Sequence, residues 1–241
     1  MNFFNLKTNI ALSIFYLRDI GNDVCHLSEN DSRHVIKVLR HKKSDFIYVV
    51  NGKGLLAKAE IIEAHPKKTK IKVLETKKNK IPTHLGLAFC PTKSNERNSF
   101  IIEKATEIGV TDFYPIVAQN SERRKWNVTK FEKILIATLK QSGRYWLPNI
   151  HKIEAFNDFI IRNELPKLKF LAHCKEGEKL DLKNVVDATK HQIVVIGPEG
   201  DFTLEEINKS INNKFEMIRL GDNRLRTETA CIASLSIMKL L

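Results

Sequence analysis

Ile193-Val194-Val195-Ile196-Gly197-Pro198-Glu199-Gly200-Asp201-Phe202 is the stretch on which the reading of this chain turns. A short apolar run stops on a Gly-Pro-Glu-Gly turn, and Thr203-Leu204-Glu205-Glu206 follows. That quartet reads as a helix start, because a Thr hydroxyl caps the amide three residues on while the Glu reaches back to the cap. A strand that ends in glycines and turns into a helix offers bare backbone amides and carbonyls to a ligand at the carboxyl edge of a sheet. The pattern partly recurs in Met217-Ile218-Arg219-Leu220-Gly221, followed by Asp222-Asn223-Arg224-Leu225-Arg226-Thr227-Glu228-Thr229-Ala230 and a helix. Two such turns, close in sequence, predict one pocket with two walls.

Outward from this stretch the chain alternates between strands and helices. Strands are expected at 85–89, 113–117, 168–172, 192–196 and 216–220, with helices at 95–108, 129–141, 203–212 and 228–241. Such alternation is the signature of a mainly parallel α/β sheet. The last helix is nearly apolar all round, interrupted only by Ser234, Ser236 and Lys239. A helix of that kind has to be buried on every side, and burial against a second copy of the chain is the reading favoured here. Residues 13–78 have a different rhythm, that of a small, mostly β module with one helix. Strands fall at 15–17, 46–50, 55–62 and 70–74, and Asn51-Gly52-Lys53-Gly54 is a hairpin signal. The helix is expected over 28–39, capped by Ser28, with Val35, Ile36, Val38 and Leu39 inward and Arg33, Lys37 and Arg40 outward. The basic run Lys77-Lys78-Asn79-Lys80-Ile81-Pro82 marks the boundary, which gives domains at 1–80 and 81–241, with 1–12 as an extension.

Charge follows the same division. The 241 residues carry a net charge of +12. Residues 1–80 hold 16 lysines and arginines against eight acids, and residues 81–241 hold 24 against 20. A basic module on a nearly balanced body predicts a polyanion-binding appendage on a catalytic domain. Cys25, Cys90, Cys174 and Cys231 are dispersed, which fits a reducing, cytoplasmic setting better than a disulfide frame or a zinc site. No apolar stretch has the length of a membrane span, and no metal-ligand spacing is present.

Four blocks carry a resemblance. They are Arg33-His34-Val35-Ile36-Lys37-Val38-Leu39-Arg40, then Glu103-Lys104-Ala105-Thr106-Glu107-Ile108-Gly109-Val110, then Gln141-Ser142-Gly143-Arg144. The fourth pairs Ile196-Gly197-Pro198-Glu199-Gly200 with Leu225-Arg226-Thr227-Glu228-Thr229-Ala230. Together they resemble the 16S rRNA (uracil-N3)-methyltransferases, a branch of the SPOUT superfamily. The resemblance implies a PUA-like β-barrel that holds RNA, followed by an α/β domain whose last segment threads a loop to form a trefoil knot, a rare exception to ordinary chain topology. It also implies S-adenosyl-L-methionine (SAM) as methyl donor, a homodimer, and 16S rRNA or the assembled small subunit as substrate. The resembled family usually has Arg-Ser where this chain has Asn120-Ser121.

Residue roles follow from the chemistry of the donor and the acceptor. Ile196, Gly197, Pro198, Glu199 and Gly200 are expected to form one wall of the donor site, with Leu220, Gly221, Leu225 and Thr229 opposite and His173 beside them. N3 of uracil carries a proton that has to leave as the methyl group arrives, which calls for a base and for a cation beside the ring oxygens. Arg226 is the expected cation, and Glu228 or Glu199 the base or its orienting partner. A paired base cannot offer N3, so the target has to be unpaired or flipped out. RNA docking is assigned to Arg33, Lys37, Arg40, Lys93, Arg97, Arg123, Arg124 and Arg144. Three rivals stand beside this reading. A Rossmann enzyme would need a Gly-x-Gly-x-x-Gly turn after strand 85–89, where Cys90-Pro91-Thr92-Lys93 stands instead. A non-catalytic rRNA-binding or assembly protein, and a SPOUT methyltransferase acting on another RNA, are the other two.

Overall fold

A computed structural model of the chain describes residues 14–21 and 23–240. The extension expected at 1–12 lies outside the described residues. The chain divides into two compact units, one running to Ile81 and including Leu139–Trp146, the other made of Pro82–Thr138 and the residues from Leu147 onward.

The first unit holds β1 (Ile14–Tyr16), β2 (Val24–His26), β3 (Phe46–Val50), β4 (Leu55–Glu63) and β5 (Lys70–Lys78) in the order β1-β3-β4-β5-β2. β1 runs parallel to β3 and the other pairs are antiparallel. Alternate residues turn inward, so that Ile47, Val49, Ala57, Ala59, Ile61 and Ile71 form one core with Phe15, Leu27 and Val35. The helix expected over 28–39 forms in two parts. Ser28 caps α1 (Glu29–Arg33) by accepting from Asp31 N, and the chain then widens into a π-helical turn over His34–Val38. Leu39 N donates to the His34 carbonyl, five residues back, and His41 N to that of Val35. The wider turn rotates Val38 and Leu39 out of the apolar stripe. Val35 is buried, whereas Val38 is 62% and Leu39 37% exposed.

The second unit is built on parallel strands. In chain order it holds β6 (Leu85–Phe89), α2 (Asn95–Ile108), β7 (Asp112–Val117), α3 (Val128–Ser142), β8 (Asn149–Ile150), β9 (Glu154–Ala155), α4 (Phe156–Ile160) and β10 (Leu168–Ala172). β11 (Leu180–Asp181), β12 (Gln192–Ile196), α5 (Leu204–Asn212), β13 (Glu216–Arg219) and α6 (Thr227–Leu240) complete it. The strand order is β11-β13-β10-β12-β6-β7-β8, with β9 added on β7, and every pair is parallel. β6 and β12 are buried along their whole length, as expected for parallel strands covered on both faces. Leu87, Phe89, Phe113, Val194 and Ile196 face Ile101, Ile102, Leu235 and Met238 of α2 and α6. Ala88, Tyr114, Ile193 and Val195 face Phe156, Phe159 and Ile207 of α4 and α5. Each fully buried large side chain contributes on the order of 1.5–3 kcal/mol relative to exposure, so the central strands are the best-anchored part of the chain. The last residues of α3 and the turn after them group with the first unit.

At the amino edge of the sheet, Asp112 accepts hydrogen bonds from Asn149 Nδ2 (3.1 Å) and lies 3.0 Å from His151 Nε2 and 3.2 Å from His84 Nε2. Burial by itself pushes the Asp112 carboxyl up, but the hydrogen bonds from His151, His84, Asn149 and Thr111 outweigh it and hold the group well below the usual carboxylate range. A depressed folded-state pKa contributes stability that is complete above the ordinary carboxylate range and is lost as pH falls below it. Asp112→Asn is therefore expected to cost about 2 kcal/mol at neutral pH, with the difference from wild type shrinking as urea midpoints are followed into acid. A deficit independent of pH would sink this assignment.

Candidate active site

Three neighbouring strands end together. Ala172 of β10 is in register with Ile196 of β12 on one side and Ile218 of β13 on the other. The residues after these strand ends, His173, Gly197 and Leu220, therefore meet at one carboxyl edge, around a cavity of about 820 Å³. The two glycine-bearing bends are joined directly. Thr227 Oγ1, at the buried start of α6, donates to the Gly197 carbonyl at 3.2 Å, and Arg224 Nη2 donates to the Glu199 carbonyl at 2.7 Å. This return of α6 onto the loop after β12 is consistent with a knotted C-terminal segment.

Local sequence explains the first bend. Phe202 folds back and is fully buried. A Cβ on Gly197 would lie 2.8 Å from its ring, so any larger residue would have to displace that buried ring. The capping box forms as expected: Glu206 N donates to Thr203 Oγ1, and Thr203 N donates to Glu206 Oε2. Asp201 takes a left-handed φ of +62°, and its carboxylate accepts from Cys174 N at 2.9 Å.

Of the residues expected to hold the donor, His173, Ile196, Gly197, Pro198, Glu199, Leu220, Gly221 and Leu225 line the cavity. Gly200 and Thr229 do not. Gly200 turns toward Asn120, 3.0 Å from a built Cβ, and Thr229 is exposed on the first turn of α6. Thr227, two residues earlier, supplies the wall instead. Of the expected reactive groups, Arg226 and Glu199 line the cavity and Glu228 does not. Glu228 Oε1 pairs with Arg97 Nε at 3.4 Å, while its Oε2 is buried without a hydrogen-bond partner among the described residues.

The cavity also draws in Cys174, Lys179, Asp201, Arg219, Asp222, Asn223 and Arg224, which sequence reasoning did not select. Most stand inside or beside the quoted blocks, so the blocks were the signal and the choice within them was not. Lys179 comes from the connection after β10, where no motif marks it. Five cations line the cavity. Arg97 is paired with Glu228, Arg219 with Asp181 (2.7 Å), Arg224 with the Glu199 carbonyl and Lys179 with the Lys175 carbonyl (2.5 Å). Arg226 alone has no side-chain hydrogen bond or ion pair among the described residues.

His173 is half-buried. Burial, and then the charge of Lys179, lower its pKa, which favours the neutral ring. Asp201 and the Lys175 backbone oppose this more weakly, and neither ring nitrogen has a hydrogen-bond partner among the described residues. Burial pushes the Cys90 thiol up to about 12 and raises that of Cys231, so both are inert, whereas Cys174 is exposed at the cavity wall.

The cations expected to dock RNA divide between the units. Arg33, Lys37, Arg40 and Arg144 belong to the first, and Lys93, Arg97, Arg123 and Arg124 to the second. Arg33, Lys37 and Arg40 are exposed along the α1 and π-helical stretch. Arg144 is half-buried, and that burial lowers its pKa. Arg123 Nη2 donates to the Lys93 carbonyl at 2.6 Å and Arg124 Nη2 to the Gln119 carbonyl at 3.3 Å. Among the described residues no group of three or more His, Cys, Asp or Glu is arranged to hold a metal ion, and no helix is long and apolar enough to cross a membrane.

Comparison with known proteins matches residues 79–239 to the RNA methyltransferase domain and residues 27–74 to the RNA methyltransferase PUA domain. Ribosomal RNA small subunit methyltransferase E of Mesomycoplasma hyopneumoniae is 32% identical over 209 residues, covering 82% of this chain and 86% of that protein. The crystal structure of a probable rRNA-methyltransferase from Porphyromonas gingivalis superposes with a TM-score of 0.86 at 29% identity, covering 93% of this chain and 95% of that one. A ribosomal RNA small subunit methyltransferase E from Neisseria gonorrhoeae, crystallised bound to S-adenosyl methionine, gives a TM-score of 0.82 at 25% identity, with 95% and 97% covered. The architecture is thus the SPOUT arrangement of a mostly parallel sheet preceded by a PUA domain. Matched along most of its length and in both parts, the chain belongs to the ribosomal RNA small subunit methyltransferase E family of RNA methyltransferases.

Proposed function

We propose that this protein is a SAM-dependent methyltransferase that modifies N3 of a uridine in the 16S rRNA of the small ribosomal subunit. The observation that carries the reading is Arg226, a guanidinium with no hydrogen bond or ion pair among the described residues, at a glycine-walled cavity whose other four lining cations are engaged. The cavity suits the donor chemically. Ile196, Ile218, Leu220 and Leu225 offer an apolar slot, the two bends offer backbone polar groups, and His173 presents ring nitrogens without a hydrogen-bond partner among the described residues. When bound, the donor supplies an electrophilic methyl carbon.

The protein's own groups prepare the acceptor. Arg226 faces the uracil oxygens and stabilises the negative charge that develops as the N3 proton leaves. Glu199, exposed on the cavity wall, takes that proton. Glu228 is committed to Arg97 and acts as its orienting partner. Alignment of donor carbon and N3 supplies most of the remaining acceleration. Lys93, Arg123 and Arg124, with the exposed cations of the first unit, hold the RNA backbone, and affinity falls steeply with salt. A second copy of the chain covers α6, where Ile232, Ala233, Ser236 and Ile237 remain only half-buried, and the active form is a homodimer.

Two measurements test the reading. Calorimetric titration with SAM is expected to give a saturable isotherm. Incubation with small subunits from a strain lacking the protein is expected to block reverse transcription at one uridine. Donor binding without such a mark moves the target to another RNA, and no donor binding leaves a non-catalytic RNA-binding protein.

A further inference from the structure

Asn120 follows β7 and lines no part of the cavity, yet its side chain grips the loop that does. Asn120 Nδ2 donates to the carbonyls of Gly200 (3.2 Å) and Asp201 (2.9 Å). A primary amide carries two N–H donors, and two carbonyls converge on them. The turn that carries Asn120 is itself anchored. Gln119 N donates to Oε1 of the buried Glu206 at 2.8 Å, and Ala118 N donates to Ser121 Oγ at 2.9 Å. Beyond the amide, the contacts continue into the cavity wall. Asp201 is held at φ +62°, an unfavourable conformation for a residue with a Cβ. Its carboxylate fixes Cys174 N, the residue after His173, and its own neighbour Phe202 N at 2.8 Å. On its other side the turn receives Arg124, through the Gln119 carbonyl.

We propose that Asn120 is a positioning residue: it holds the Gly200–Asp201 backbone and, through the Asp201 carboxylate, the Cys174 amide at the wall of the donor cavity. This rests on the reading of the cavity as a SAM site. Asn120 reaches the cavity only through the backbone of Gly200 and Asp201, so its loss loosens donor binding and leaves the chemical step and the RNA contacts in place.

The test is SAM titration and steady-state kinetics on wild type, Asn120→Ala, Asn120→Asp and Gly200→Ala. Asn120→Ala is expected to raise the donor Kd about tenfold. Asn120→Asp should raise it further, because a carboxylate would face two carbonyls with no proton to give. Gly200→Ala keeps the amide but adds a Cβ 3.0 Å from that of Asn120, and should produce the same donor-specific loss. In all three variants the donor KM rises while kcat and the rRNA KM hold, a split that a general structural defect would not give. Wild-type donor affinity in Asn120→Ala, or a joint loss of kcat and both KM values, overturns the proposal. A wild-type protein that gives no isotherm overturns the donor reading beneath it.

Discussion

Arg226→Ala is expected to lower the rate of methyl transfer by about a thousandfold, the upper end for removal of one transition-state donor, while the SAM isotherm stays close to that of wild type. The two halves follow from one fact. The Arg226 side chain makes no hydrogen bond or ion pair among the described residues, so removing it breaks no polar contact that holds the cavity walls. Its neighbour behaves differently: Arg224 holds the Glu199 carbonyl, and its loss should weaken donor binding before chemistry. Arg226→Lys keeps the charge but loses the planar fork, and an intermediate rate is expected. The residual rate of Arg226→Ala should climb with pH, because hydroxide can supply the uracil anion that the cation no longer favours. Single-turnover rates on small subunits, with saturating donor, make the measurement. A rate within a few-fold of wild type would remove Arg226 from the mechanism.

The largest effect on stability is expected from Gly54→Ala. Gly54 closes the β3–β4 hairpin with φ +87°, and a Cβ there would fall 2.3 Å from Trp146 Cζ2. The left-handed conformation costs an alanine about 1 kcal/mol and the clash a further 1–3, so a loss of about 3 kcal/mol is expected. Backbone bonds make the position hard to relax. Gly54 N donates to the Tyr145 carbonyl at 2.8 Å, and the Gly54 carbonyl accepts from Asn79 N at 2.8 Å and Asn79 Nδ2 at 3.1 Å. Urea unfolding should show the fall in midpoint. Trp146→Leu in the Gly54→Ala background should cost less than the two single changes added together, because both act on one contact. Strict additivity would refute the steric account.

Particular residues show how far local pattern reached. The run 192–196 was legible as a strand because both its faces are covered and every residue is apolar or buried, and the capping box after it depends on four consecutive residues. His173 was legible only as a residue after a strand. Its place beside Gly197 and Leu220 came from the pairing of Ala172 with Ile196 and Ile218, a long-range register that no window of sequence contains. The π-turn at His34–Val38 escaped because the same apolar spacing suits an ordinary helix, and Val38 and Leu39 were then wrongly turned inward. Asn120 read only as a departure from the Arg-Ser pair of relatives, whereas its amide closes on carbonyls eighty and eighty-one residues away.

Sequence alone was enough for the class of fold, for the two glycine-bearing bends and for the family, because strands, caps and tight turns are specified by neighbours within a few positions. It did not say that the two bends share a wall through Thr227 and Arg224, that residues 139–146 pack with the first unit, or which of five cavity cations has no polar partner among the described residues. Those outcomes depend on which surfaces the parallel register and the buried faces of α2 and α6 bring together. Contacts of that kind are set by packing across the whole chain, not by the composition of any segment of it.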